Sequence, residues 1–185
     1  EKEREDYLDH LASTVECDLA GLRILVDCAN GAASATAASL FDRFPKLHTD
    51  VINADPDGTN INAGCGSTHL EALCTMVKAG GYDLGIAFDG DADRCLACDE
   101  LGREINGDQF MAVCGLDLMR RGELPGNMVV ATVMSNLGLH VFAREHGMEL
   151  CCTDVGDRNV LEKMEACGYV LGGEQSGHMI FRRYA

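Results

Sequence analysis

Basic residues are scarce in this chain: 15 lysines and arginines stand against 30 aspartates and glutamates, a formal net charge of −15 over 185 residues. That deficit excludes nucleic acid and anionic membranes as expected partners, because phosphate backbones select basic surfaces. A small anionic substrate stays open to it, since a bound divalent ion and a few local arginines reverse the field in one cleft. Uninterrupted apolar stretches long enough to cross a bilayer are missing. The opening Glu1-Lys2-Glu3-Arg4-Glu5-Asp6 has nothing of a secretory signal. A cytoplasmic location without membrane contact is therefore expected. Residue-level repeats and low-complexity segments are missing as well.

Cysteine, by contrast, is plentiful, with ten residues. Cys28 ends a strand pattern, Cys74 and Cys114 lie in helical ones, and Cys151-Cys152 lie in another strand, where cysteine behaves as a small buried hydrophobe. Disulfide scaffolds belong to much shorter chains, so reduced thiols are expected. Cys95-x-x-Cys98 has no second matching pair, and on a strand its thiols would face opposite sides, which disfavours zinc or redox chemistry.

Short β-rich runs alternate with longer helical ones, which predicts an α/β fold of two similar small units, 1–104 and 105–185. Each is expected to hold a mixed, mostly parallel sheet flanked by helices. In the first, Arg23 to Cys28 reads as a strand, Asn30-Gly31 as a turn, and Ala32 to Phe44 as an alanine-rich helix. A second strand covers Asp50 to Asn53. Thr68 with Glu71 three residues on predicts a capping box opening a helix through Lys78. A strand over Asp83 to Phe88 then returns as a hairpin from Arg94 to Asp99. In the second unit, a helix over Asp108 to Arg121 is followed by a strand over Met128 to Met134. Ser135-Asn136 caps a helix through His146, Leu150 to Thr153 is a strand, and a helix runs from Arg158 to Cys167.

Two stretches carry chemistry. Asp89-Gly90-Asp91-Ala92-Asp93-Arg94 places three carboxylates within five residues at the end of an apolar strand. In an extended segment, residues two apart point the same way, so the three acids converge. Two unit charges about 4 Å apart repel by about 4 kcal/mol at an effective dielectric of about 20, so such a cluster wants a cation or protonation. Oxygen-only ligands in small number suit magnesium completed by phosphate or water. An EF-hand reading fails because the glycine demanded by that loop's turn is Arg94, and the flanks read as strands. An aspartyl-phosphate enzyme with Asp89 as nucleophile is chemically allowed but leaves Arg94 without a role. The Asn30-Gly31 turn lacks the P-loop pattern.

The other stretch is Gly172-Gly173-Glu174-Gln175-Ser176-Gly177-His178. Glu174, Ser176 and His178 repeat the two-residue spacing, so an extended loop would present them on one side. A carboxylate beside a hydroxyl suits vicinal sugar hydroxyls, and a histidine donates to phosphate or relays a proton. The plainer alternative is a polar turn between two strands.

Taken in order, Val26-Asp27-Cys28-Ala29-Asn30-Gly31-Ala32, Gly64-Cys65-Gly66-Ser67-Thr68-His69, Asp89 to Arg94, Met134-Ser135-Asn136-Leu137-Gly138-Leu139, Val155-Gly156-Asp157-Arg158 and Gly173 to His178 resemble the α-D-phosphohexomutases. The resemblance runs from about residue 15 to the last residue. Met134 to Leu139 and Gly156 to Arg158 point to the glucosamine branch of that family. It implies interconversion of a hexosamine 6-phosphate and 1-phosphate through a phosphoserine and a bisphosphate intermediate. By the same resemblance Asp89, Asp91 and Asp93 are magnesium ligands and Arg94 contacts phosphate. Glu174 and Ser176 would hold sugar hydroxyls, His178 would stand near the transferring group, and Arg158 would help recognise the sugar. A bland reading competes for Arg158, as a solvated first-turn residue behind an Asp157 N-cap.

The family's phosphoserine loop and its C-terminal phosphate-gripping domain have no counterpart here. The chain is therefore expected to match the second and most of the third of four domains. Its partners would then be the N- and C-terminal domains of the same parent, and alone it should be inactive and bind metal poorly. A reading of a different class is a non-catalytic module that binds divalent ions or sugar phosphates on the same scaffold. A serine-bearing loop encoded upstream of Glu1 would favour the enzyme.

Overall fold

A computed structural model describes residues 2–184, which divide into two compact units, one up to Glu104 and the other from Ile105. In the first unit, helix α1 (Lys2–Ser13) precedes β1 (Arg23–Asp27), a 3-10 turn (Ala32–Ala35), α2 (Ala37–Phe41), β2 (His48–Ile52), α3 (Glu71–Gly80), β3 (Leu84–Phe88) and β4 (Cys95–Asp99). The two-residue β5 (Glu104–Ile105) carries the chain across the division. The sheet order is β2-β1-β3-β4-β5. β1 runs parallel to both β2 and β3, and β4 returns antiparallel to β3.

Strand β1 explains itself. Ile24, Leu25 and Val26 are β-branched or bulky apolar residues buried from both sides, as a parallel strand covered on two faces requires. Leu25 and Ala87 pack with Leu73 and Val77 of α3 on one face. Ile24 and Val26 pack with Ala33 and Ala37 on the other.

The second unit repeats this plan: α4 (Gly107–Arg120), β6 (Met128–Thr132), α5 (Leu137–His146), β7 (Glu149–Thr153), α6 (Asp157–Cys167), β8 (Leu171–Gly173) and β9 (Met179–Phe181). Its order is β7-β6-β8-β9, with β6 parallel to β7 and β8, and β9 antiparallel to β8. α4 and α5 cover one face through Met111, Leu139 and Ala143, and α6 covers the other through Val160 and Met164. Mixed, mostly parallel sheets flanked by helices are thus present in both units. The shared element order is a structural repeat without a sequence counterpart.

Local expectations need four corrections. The helix expected over Ala32 to Phe44 is a 3-10 turn and a short α-helix separated by Thr36, whose φ of −128° is not helical. Its first turn is fixed from below, because the Ala32 N–H donates to the Gly90 carbonyl at 2.8 Å. The Thr68 capping box does not form. Leu70 heads α3 in a helical conformation, drawn there by burial at 6% exposure, while the Thr68 hydroxyl meets His69 Nδ1 at 3.0 Å. A capping box does form where none was expected, between Asn106 and Gln109 at the start of α4. Lastly, only Asn136 of the Ser135-Asn136 pair caps α5, accepting from Leu139 N at 3.1 Å; the Ser135 hydroxyl is buried and unpartnered.

Candidate functional site

In open parallel sheets, ligands collect outside the carboxyl ends of the strands, at the point where the strand order reverses. In the first unit that point lies between β1 and β3, and the acidic stretch leaves from the end of β3. The stretch is not extended as the spacing suggested. Ala92 N–H bonds back to Asp89 C=O at 3.1 Å, and Ala92 adopts a left-handed φ of +62°. This turn still gathers the side chains: one carboxylate oxygen from each of Asp89, Asp91 and Asp93 lies within 4.8 Å of the other two.

Asp89 is buried at 7% exposure, whereas Asp91 and Asp93 face solvent. The Arg94 N–H donates to Asp89 Oδ1 at 3.3 Å, and the Arg94 guanidinium stands 3.9 Å from Asp89 and 4.0 Å from Asp93. The donors are all hard oxygens. A magnesium–oxygen distance of about 2.0–2.1 Å puts neighbouring ligands of an octahedron about 3 Å and opposite ones about 4 Å apart, so the three carboxylates hold one such ion once their oxygens close in. Beside them, Cys95 is inert, because burial first and the Asp89 charge second push its thiol up to about 12.

Two loops hold this turn. The Asp27 carboxylate, 1% exposed, accepts from Ala29 N and from Gly66 N, both at 2.9 Å. Ser67 N–H donates to Phe88 C=O at 2.9 Å. Glycine is obligatory at Gly31, where a Cβ would lie 2.3 Å from the Gly90 carbonyl oxygen. Sequence reading assigned no role to Asp27, although a carboxylate ending an apolar strand was a visible signal.

In the second unit, Glu174 to His178 forms the turn of the β8–β9 hairpin, the counterpart of the β3–β4 turn that holds the aspartates. It too is folded rather than extended: Gly177 N–H donates to Glu174 C=O, and Glu174 N–H to His178 C=O, both at 3.0 Å. Glu174 Oε1 accepts from Gly156 N at 3.0 Å, which anchors the carboxylate to the start of α6. Ser176 is exposed at the turn's tip. His178 Nε2 lies 3.9 Å from Asp157 Oδ2, and both line a pocket of about 390 Å³.

Asp157 is not the N-cap expected of it. Gly156 occupies that position with φ +127°, so Asp157 starts the helix and turns toward His178 instead. Arg158 is 87% exposed and pairs with Glu162 at 2.7 Å along the helix. A further acid that sequence reading passed over is Asp108, 2% exposed at the start of α4. Its Oδ2 accepts from Asn136 N at 2.8 Å, while its Oδ1 is buried without a hydrogen-bond partner.

In the first unit, then, the residues singled out by spacing come together, Asp89, Asp91, Asp93 and Arg94; in the second, Glu174 and His178 are joined through the backbone and reach Gly156 and Asp157 respectively, while Ser176 faces solvent. Arg158 is turned along α6 toward Glu162.

Comparison with known proteins agrees with this anatomy. Residues 5–102 match the family model of phosphoglucomutase/phosphomannomutase α/β/α domain II, and residues 106–185 match that of domain III. A phosphoglucosamine mutase from Symbiobacterium thermophilum is 56% identical over 96% of this chain and 39% of its own length. The chain spans about two fifths of the length of the curated relatives it matches. The crystal structure of a phosphoglucomutase/phosphomannomutase family protein from Burkholderia thailandensis superposes with a TM-score of 0.83 at 27% identity, over 98% of this chain and 40% of that one. N-acetylphosphoglucosamine mutase from Aspergillus fumigatus, solved with GlcNAc-6P and magnesium, shares the fold with a TM-score of 0.74 at 23% identity, over 95% of this chain and 37% of that one.

Proposed function

Because the chain belongs to the phosphoglucomutase/phosphomannomutase family, we propose that it forms the metal- and sugar-binding middle of a phosphoglucosamine mutase. Such an enzyme is an intramolecular phosphotransferase that interconverts glucosamine 6-phosphate and glucosamine 1-phosphate. The observation that carries this reading is the convergence of three carboxylate oxygens within 4.8 Å at the carboxyl end of a parallel strand. Asp89, Asp91 and Asp93 hold magnesium in this reading. Bound there, the ion supplies positive charge to the phosphoryl group in flight.

Arg94, already beside Asp89, contacts phosphate. Glu174, held by the Gly156 amide, and Ser176 take sugar hydroxyls, each carboxylate oxygen accepting and the hydroxyl serving either way. His178, backed by Asp157 at 3.9 Å, donates to the phosphate near the transferring group. Arg158 would have to leave Glu162 to reach the sugar, so its part is recognition after substrate arrives. The phosphoserine and the remaining phosphate grip are supplied by other domains of the parent chain, and the acidic surface suits a cytoplasmic enzyme acting on a small metabolite.

The test is turnover by the full-length parent on glucosamine, glucose and mannose phosphates, with and without magnesium. Magnesium-dependent turnover of the glucosamine phosphates is expected to dominate. Mutase activity from these 185 residues alone would sink the assignment of the serine to another domain.

A further inference from the structure

Asp27 sits at the carboxyl end of β1 and pairs in register with Ala87, two residues before Asp89. It is 1% exposed, and neither of its oxygens serves regular secondary structure. One accepts from Ala29 N, in the left-handed turn Ala29–Asn30; the other accepts from Gly66 N, across the sheet's end. Each of those segments in turn grips the backbone that frames Asp89.

On one side, Gly66 is pressed so closely that a Cβ there would lie 2.5 Å from Ala29 Cβ and 2.6 Å from the Phe88 carbonyl oxygen. Ser67 N–H donates to that same Phe88 carbonyl at 2.9 Å. On the other side, the Ala29–Asn30 turn delivers Ala32 N–H to the Gly90 carbonyl at 2.8 Å. The peptide carbonyls immediately before and after Asp89 are therefore both fixed by loops that close on the Asp27 carboxylate.

We propose that Asp27 is a positioning residue for the acidic turn: it sets the direction of the Asp89, Asp91 and Asp93 carboxylates without touching a ligand itself. The inference rests on the metal reading of that turn given above. The second unit carries a reduced form of the device. There Thr132, also 1% exposed and also the last residue of its strand, β6, accepts from Met134 N two residues on at 3.4 Å, and the hairpin turn it neighbours carries no acidic cluster. A hydroxyl serves one loop; the carboxylate serves two.

The test compares wild type, Asp27→Asn and Asp99→Asn in the full-length parent by Mn2+ titration followed through water-proton relaxation, with the amide resonances of residues 89–94 recorded before metal is added. Asp99 is the matched control. It also accepts backbone N–H groups, from Leu101 and Arg103, but lies at the far end of the β3–β4 hairpin. Asp27→Asn turns one acceptor into a donor facing an N–H, so Mn2+ affinity should fall by about 10–100-fold, the usual effect of losing an outer-shell partner. Gly90 and Asp91 amides should shift, while Asp99→Asn changes neither. A folded Asp27→Asn chain with wild-type affinity and unshifted amides overturns the proposal. If Asp27→Asn does not fold, Asp27→Thr, which copies the second unit and keeps the Ala29 bond, is judged by the same two readouts. Should the wild-type full-length parent itself show no saturable Mn2+ binding, the metal reading of the turn falls, and the amide shifts alone decide the role of Asp27.

Discussion

Asp91 and Asp89 illustrate how differently two neighbouring carboxylates are placed. Asp89 is buried and receives the Arg94 amide, whereas Asp91 stands in solvent within reach of its fellow acids. Asp91→Asn removes like-charge repulsion from an exposed position. The chain without metal should therefore melt within about 0.5 kcal/mol of wild type, as surface changes do. In the full-length parent, the stabilisation that wild type gains from added Mn2+ should disappear, and paired thermal melts check both halves of that statement. The cysteines give a second residue-scale prediction. All ten are free thiols. Burial is the leading cause that raises Cys28 to about 11 and Cys95 and Cys98 to about 12. The sign follows from which state holds the proton. Folded thiols keep it above the pH at which unfolded ones lose it, so their contribution is whole below about pH 9 and is lost as pH rises toward 11–12. Urea midpoints should fall across that alkaline window, and a midpoint that held steady there would refute the burial argument. Exposed Cys17 and Cys167 should take up a thiol reagent before any of the three.

Among elements, the two β-hairpin turns matter most, and each is wedged by a glycine from elsewhere in its unit. A Cβ on Gly107, at the head of α4, would lie 1.9 Å from the Glu174 carbonyl oxygen. Glycine to alanine in a free helix gains up to about 1 kcal/mol. Here it should cost about 1–3 kcal/mol through overpacking and displace the Glu174 turn. Urea melts would show the loss, and a stabilised Gly107→Ala would refute the wedge. The same wedge shows why spacing alone misjudged the turns. Alternation placed Asp89, Asp91 and Asp93 on one side of an extended segment, yet convergence comes from a left-handed Ala92 and a bond back to Asp89. Likewise Thr68 with Glu71 had the letters of a capping box, but burial of Leu70 took the helix start. Where a strand had an apolar core face, its place was readable from residue type; where a loop was fixed by a remote carbonyl, it was not.

At the scale of the whole molecule, the two units share one plan, a strand flanked by two parallel neighbours with an antiparallel fourth. Each has its own apolar core, around Leu25 and Val26 in the first and Val129 and Val130 in the second. Residues 1–104 and 105–185 expressed separately should each melt cooperatively, with helix and strand signals by circular dichroism. A featureless melt from either half would show that its core is insufficient alone.

Composition and apolar periodicity settled the class of fold and the alternation of elements, and the charged clusters marked the candidate site, because each depends on neighbours within a few positions along the chain. The repeat of one topology in both units, the carboxylate of Asp27 closing on Gly66, and the turning of Asp157 toward His178 came only from the folded chain. Their partners lie tens of residues apart, and such contacts are chosen by packing and by the need of buried polar atoms for a partner, which no local pattern records.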